Sequence, residues 1–380
     1  MDFQTACDRV AQHGVAMLAA SGSNLHLVAV GTKQPGPLAR ATRFCVTAYV
    51  SRKLSTQELE SQGIPSFRAL YADAVEGPQP PDDDLDVVES ETPFDPLCAL
   101  RVPRNQRGGF GGPPPAVDTQ RWFPSLRCGI GIANPLDGFP ESLSAGTAGF
   151  YVHDGQGGTY LVSNNHVIGR SNQAARGEPV VQPGTLDLTS LELDMLESID
   201  ALLDQTAVAE LSAVVPIAFS SSARMPTNRV DAALAKLTPS GRLHGELARL
   251  AYGGSILGVA EPYRVDARGA LAGSTAVYKL GRTTGYTEGN VVGLAGTASI
   301  QYAAGTAYFA GQLVVQASGE NGGPFSDRGD SGSAVLNDRH QLVGLLFAGS
   351  RRQTLVNPIH DVLAQLRRAS EIADLDVITG

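Results

Sequence analysis

Gly329-Asp330-Ser331-Gly332-Ser333-Ala334-Val335-Leu336 sets a serine between two glycines at the mouth of an apolar strand. A serine hydroxyl is a weak nucleophile unless it is held in the open beside a base. Glycine on either side lets the backbone turn tightly and brings amide N–H groups up to a substrate carbonyl. In such a turn the N–H groups of Gly329 and Ser331 form an oxyanion hole, in which each donor is worth on the order of 10²–10³ in rate. Taken alone, the stretch is equally a plain Gly/Ser turn entering a strand, so a base and a carboxylate must be found elsewhere. Ser333 lacks the flanking pair of glycines, and Asp330 reads as a local hydrogen-bonding group that fixes the loop.

Two further stretches supply them. Tyr160-Leu161-Val162-Ser163-Asn164-Asn165-His166-Val167 is an apolar strand that delivers a histidine at its end, the setting a base at the lip of a barrel needs. Arg229-Val230-Asp231-Ala232-Ala233-Leu234-Ala235-Lys236-Leu237 opens another apolar strand with an aspartate. A carboxylate there is partly buried and able to accept the imidazole N–H. Asp187, Asp194, Asp200 and Asp204 compete for that role, but no strand stands behind them.

The order His, Asp, Ser and these settings resemble the trypsin-like serine peptidases, in which a histidine relays the proton of a serine and an aspartate holds the histidine. The stretches SNNHV around His166, VQPG over 181–184, VDAA around Asp231, GRTTG over 281–285, FSDRGDSGS around Ser331 and VGLLFAGS over 343–350 look most like the narrow-leaf group known from plants and bacteria. The likeness runs from about Arg43 to Leu366. It implies a chymotrypsin-like double six-stranded β-barrel with the active site in the cleft between the barrels. GRTTG lacks the Lys-Ser/Thr of a phosphate-binding loop and reads as a hairpin lining that cleft. By analogy, Phe325, six residues before the nucleophile, lies at the base of the primary pocket, and Ala348, Gly349 and Ser350 form one wall. An apolar floor argues against Lys or Arg at the cleaved bond and for small or apolar residues.

The remainder of the chain fits a mainly β protein. Apolar residues make up 42% and charged residues 18%, with 43 Gly and 23 Pro, a pattern of short apolar runs broken by turns. A small α+β unit is expected over 1–100, with a helix over 3–20, strands over 25–31, 43–51 and 85–89, and a short helical patch at Leu59 capped by Thr56. A Pro/Gly-rich linker over 101–125 contains GGFGGPPP. The peptidase domain then occupies 126–380. Its first barrel lies over about 126–240, with strands expected at 147–153, 159–163, 214–219 and 230–237, and its second over about 255–356. An acidic helical insertion over about 186–212 is read as a surface helix with a solvated face, since 177–223 holds eight acidic residues and no Lys or Arg. A C-terminal helix over 358–373 is expected, capped by Asn357.

The net charge of −9 leaves no basic surface for nucleic acid. No export signal opens the chain, no apolar run is long enough to span a bilayer, and the four cysteines show no metal or redox spacing. These features point to a cytoplasmic protein that needs no metal or cofactor and acts on protein or peptide. The N-terminal unit could cap the cleft, bind a partner or drive homo-oligomer formation. The expected chemistry is peptide-bond hydrolysis through an acyl-enzyme on Ser331, with His166 as base and most active at neutral to mildly alkaline pH. An esterase with the same triad and a non-catalytic peptide-binding barrel are the alternatives.

Overall fold

Strand alternation after residue 126 resolves into two closed rings. The computed structural model describes residues 1–22, 24–33, 38, 43–75, 81, 84–97, 102–103, 119–189, 192, 198–239, 244–251, 253–267, 269–272, 274–318 and 323–380. The Gly-rich linker stretch over 108–115, Cys98 and the helical positions Leu191, Met195 and Leu196 lie outside the described residues.

In the first ring Gly131–Ile132 pairs with Gly146–Thr147, and the chain runs on into Phe150–His153. That strand pairs with Thr159–Ser163, which pairs with Ala233–Leu237. Ala207–Val214 follows, then Pro179–Val181, and Val181 bridges back to Ala133 to close the circle. The second ring closes through antiparallel pairs alone. Ala276–Gly281 pairs with Gly285–Tyr302, that strand with Gly305–Ala317, and the next with Gln353–Pro358. Gln341–Gly349 and Ala334–Asn337 complete it by returning to Ala276–Gly281. The second ring has six strands, and so has the first when Gly146–Thr147 and Phe150–His153 are taken as one; each closes on itself, the arrangement by which a barrel removes its sheet edges. The molecule is a mainly β double barrel of the chymotrypsin-like kind.

The N-terminal residues add a layer to the second barrel. Leu25–Gly31 pairs antiparallel with the long strand Gly285–Tyr302 (Leu27 opposite Ala298), then with Cys45–Val50, which pairs parallel with Leu85–Glu89. Helix Phe3–Ala20 starts at Asp2, whose carboxylate accepts the Thr5 N–H at 2.9 Å. Its buried Ala6, Val10, Met17 and Leu18 share one apolar cluster with Val28, Val30, Val46 and Ala48. At Gly14 the helix crosses so close to the sheet that a β-carbon would lie 2.8 Å from Thr297 Cβ.

Several expected details shift. The short helix Thr56–Gln62 is capped by Ser55, not Thr56, because Ser55 and Glu58 form a reciprocal capping box. A helix at Phe67–Val75 was not anticipated. The strand expected at 214–219 is instead Ala207–Val214, and residues 215–219 leave the ladder. The C-terminal helix Ile359–Ser370 buries Ile359, Val362, Leu363 and Leu366 in an apolar cluster that includes residues of both barrels. Asn357 does not cap it, because its side chain is committed deeper in the molecule. No helix among the described residues is long and apolar enough to cross a membrane.

The acidic insertion is also not uniformly solvated. Only Ile199–Thr206 forms a described helix of any length there. The Asp187 side chain is buried and paired with Arg282 from the GRTTG hairpin, its Oδ1 2.8 Å from Nε. Glu178 accepts from Asn134 at 2.9 Å and pairs with Arg170 at 2.8 Å. Cations outside the insertion neutralise these two carboxylates.

Candidate active site

Thr159–Ser163 passes through the extended Asn164 into the one-turn helix Asn165–Ile168, which carries His166. His166 Nδ1 lies 2.5 Å from Asp231 Oδ2, and both side chains are fully buried. Asp231 stands two residues before Ala233–Leu237, so the pairing of that strand with Thr159–Ser163 (Ser163 opposite Ala233) carries the carboxylate to the imidazole. The carboxylate is held on further sides. Its Oδ1 accepts the His166 backbone N–H at 3.2 Å, and its Oδ2 accepts the Tyr302 hydroxyl at 2.8 Å. The Asp231 N–H donates to Asn357 Oδ1 at 2.9 Å and its carbonyl accepts from Asn164 Nδ2 at 2.7 Å. Asn357 Nδ2 in turn donates to Gln312 Oε1 at 2.6 Å. A carboxylate held by this many donors is fixed in place, and a fixed acceptor on Nδ1 orients the imidazole.

Ser331 reaches the site from the second barrel. Thr147 is the rivet between the two. Its N–H donates to the Ser331 carbonyl at 2.8 Å, and its hydroxyl donates to the Gly329 carbonyl at 2.9 Å while accepting the Arg282 N–H at 3.0 Å. Gly332 sits at φ +93°, and a β-carbon there would fall 2.3 Å from Ser163 Oγ and from the Thr147 carbonyl. The Ser331 loop therefore packs directly on the strand Thr159–Ser163 that leads to His166, and only glycine permits that approach. The Ser331 hydroxyl donates to the Phe347 carbonyl at 3.1 Å, and the residue is fully buried. Gly329, at φ +99°, donates its N–H to the Leu97 carbonyl at 3.1 Å.

Asp330 turns away from the cleft and ties the loop to the GRTTG hairpin. Its Oδ1 accepts the N–H groups of Thr283 and Thr284 at 2.8 and 3.1 Å. Its Oδ2 accepts the Thr284 hydroxyl at 2.6 Å and the Asp327 N–H at 2.9 Å. Lys279 Nζ, fully buried, stands 3.4 Å from the same oxygen. Burial pushes the Lys279 ammonium below its ordinary range, and Asp330 opposes that shift. The hairpin is formed as expected, with Gly281 opposite Gly285. Phe325 is buried, with the Lys279 ammonium 6.0 Å from its ring centroid. Ala348 and Gly349 lie on the strand beside Ser331, whereas Ser350 closes the next turn by accepting the Gln353 N–H at 3.1 Å.

The roles of Tyr302, Asn357, Thr147 and Lys279 around the site escaped the sequence reading, which gave Asn357 only a helix cap. Lys279 alone left a local signal, as a charge inside the apolar strand Ala276–Gly281. The other three act across the barrel interface, where no local pattern marks them.

No protein-family model matches the chain, and no curated protein matches it. Solved structures of serine proteases are similar to it at low identity. Thermobifida fusca protease A is 17% identical, with 67% of this chain and 100% of that one covered and a TM-score of 0.40. Cellulomonas bogoriensis chymotrypsin is 18% identical over 62% of this chain and 91% of that one, with a TM-score of 0.34. A Nocardiopsis protease is 14% identical over 67% and 98%, with a TM-score of 0.38.

Proposed function

We propose that the chain is a serine endopeptidase of the trypsin-like class, with Ser331 as nucleophile, His166 as base and Asp231 as the orienting carboxylate. The observation that carries this reading is the buried His166–Asp231 contact of 2.5 Å on the first barrel, against which the second barrel sets Gly329-Asp330-Ser331. In the reaction, His166 takes the Ser331 proton as Oγ attacks the peptide carbonyl. Asp231 holds the Nδ1 tautomer and stabilises the imidazolium, and the Gly329 and Ser331 N–H groups receive the oxyanion. His166 then returns the proton to the leaving amine, and water hydrolyses the ester. The burial of Phe325 supports a preference for small or apolar residues before the cleaved bond. The motifs quoted above favour the narrow-leaf group within the class.

The test is labelling with a fluorophosphonate probe together with hydrolysis of a peptide amide. Wild-type protein should label at Ser331 and turn over the amide, and Ser331→Ala should lose roughly 10⁶-fold of that turnover. Amide hydrolysis that survives the substitution rules the mechanism out. A peptide-library profile dominated by Arg or Lys rules out the pocket assignment.

A further inference from the structure

Residues 95–97 of the chain lie where an acyl donor would have to lie. The short strand Asp95–Pro96 pairs antiparallel with Gln341–Gly349, the strand that borders Ser331, with Pro96 opposite Ala348 and Asp95 opposite Gly349. The next residue, Leu97, continues the ladder by donating its N–H to the Phe347 carbonyl at 3.1 Å. Its own carbonyl accepts the Gly329 N–H at 3.1 Å. The Ser331 hydroxyl donates to that same Phe347 carbonyl at 3.1 Å, so the nucleophile and the Leu97 backbone share one acceptor. The Leu97 side chain is buried in the same apolar cluster as Phe325 and Val356. It lies so close over Gly349 that a β-carbon there would be 3.1 Å from Leu97 Cδ1.

Backbone pairing along a cleft edge, an apolar side chain in an apolar site and a carbonyl on a donor beside the nucleophile are the contacts by which a peptide substrate is presented. The segment is anchored from behind. Phe94 is fully buried in a cluster with Phe309 and Phe347, and Thr92 Oγ1 accepts the Arg351 N–H at 2.9 Å. Tethering within one chain makes the local concentration of this segment far higher than that of any free peptide at ordinary concentration.

We propose that residues 95–97 are the enzyme's own substrate and that the peptide bond joining Leu97 to Cys98 is its self-processing site. This rests on the reading of Ser331 as a nucleophile. For attack, the Ser331 hydroxyl leaves the Phe347 carbonyl and turns to His166. Oγ then bonds to the Leu97 carbonyl carbon, and the Leu97–Cys98 C–N bond breaks. The serine proton passes through His166 to the departing Cys98 amine. Water hydrolyses the Leu97 ester, leaving a Leu97 carboxylate and restoring the Ser331 hydroxyl. Until that cut, the segment excludes other peptides from the acyl side of the cleft.

Purified full-length wild type and Ser331→Ala are incubated at neutral pH and followed by intact mass and N-terminal sequencing, with fluorophosphonate labelling in parallel. Wild type should convert to pieces 1–97 and 98–380, the second beginning at Cys98, at a rate unchanged by tenfold dilution. Ser331→Ala should stay whole. Leu97→Asp, checked for an unaltered unfolding transition, should slow the cut at least tenfold, and Leu97→Met should restore it. Wild type that stays whole while Ser331 labels overturns the self-processing site and leaves the hydrolase reading standing. A whole chain with an unreactive Ser331 overturns both. The same cut in Ser331→Ala, or a rate that falls with dilution, also overturns it.

Discussion

Asp231 shows how much a single buried side chain depends on its surroundings. A carboxylate without solvent must be satisfied by protein donors, and here the His166 imidazole, the His166 amide and the Tyr302 hydroxyl share the task. Tyr302 comes from the second barrel and also meets the His166 ring edge-on, with centroids 6.0 Å apart. Its hydroxyl competes for the oxygen that orients the histidine, so removing it leaves the carboxylate under-satisfied and freer to move. Tyr302→Phe should lower kcat about tenfold, the kinetic equivalent of roughly 1–1.5 kcal/mol for one hydrogen bond to a charged group. KM should stay nearly unchanged, because Tyr302 is buried with its hydroxyl committed to Asp231. Steady-state kinetics on a peptide amide across pH checks this, and a change confined to KM would show that Tyr302 shapes binding instead.

At the scale of elements, the turn that carries His166 is braced by ion pairs that sequence patterning placed in solvent. Arg170 and Asn134 converge on Glu178, just ahead of Pro179–Val181. Burial raises the Glu178 carboxyl, but the bonds from Ala175, Asn134 and Arg170 outweigh it and hold the group below its ordinary value. A carboxylate depressed in the folded state contributes stability above its unfolded value, about 4.5, and loses it as pH falls through the folded value. Glu178→Gln should therefore cost about 2 kcal/mol at pH 7, a typical penalty for breaking a largely buried charged hydrogen bond. The gap between variant and wild type should narrow as the pH drops below about 4.5. Denaturant titrations at both pH values measure it, and a gap independent of pH would show that Glu178 acts by packing alone.

For the whole molecule, the N-terminal residues are structurally part of the second barrel's sheet. Leu25–Gly31 covers the outer edge of Gly285–Tyr302, the strand that ends in Tyr302, and helix Phe3–Ala20 seals that layer at Gly14. Gly14→Val forces side-chain atoms into Thr297, and overpacking of this kind costs about 1–3 kcal/mol. Because one sheet joins the layer to the second barrel, the lost stability should appear in a single unfolding transition that also takes the His166–Asp231 site with it. Calorimetry together with activity after partial heating tests this. A separate early transition that leaves activity intact would show that the layer unfolds by itself.

The three residues proposed as the triad stood out in the sequence because each sits in a local context that physics constrains. Ser331 needs its two glycines, His166 needs a strand end, and Asp231 needs an apolar strand behind it, so each leaves a short recognisable trace. Strand alternation likewise marked most of both barrels, and the helix at 3–20 matched its apolar spacing. Contacts between residues far apart in the chain leave no such trace. Tyr302 on Asp231, Asn357 drawn from the helix cap to the Asp231 amide, Asp187 on Arg282 and Leu97 on Gly329 each depend on two segments meeting, and only the closing of the barrels decides which segments meet.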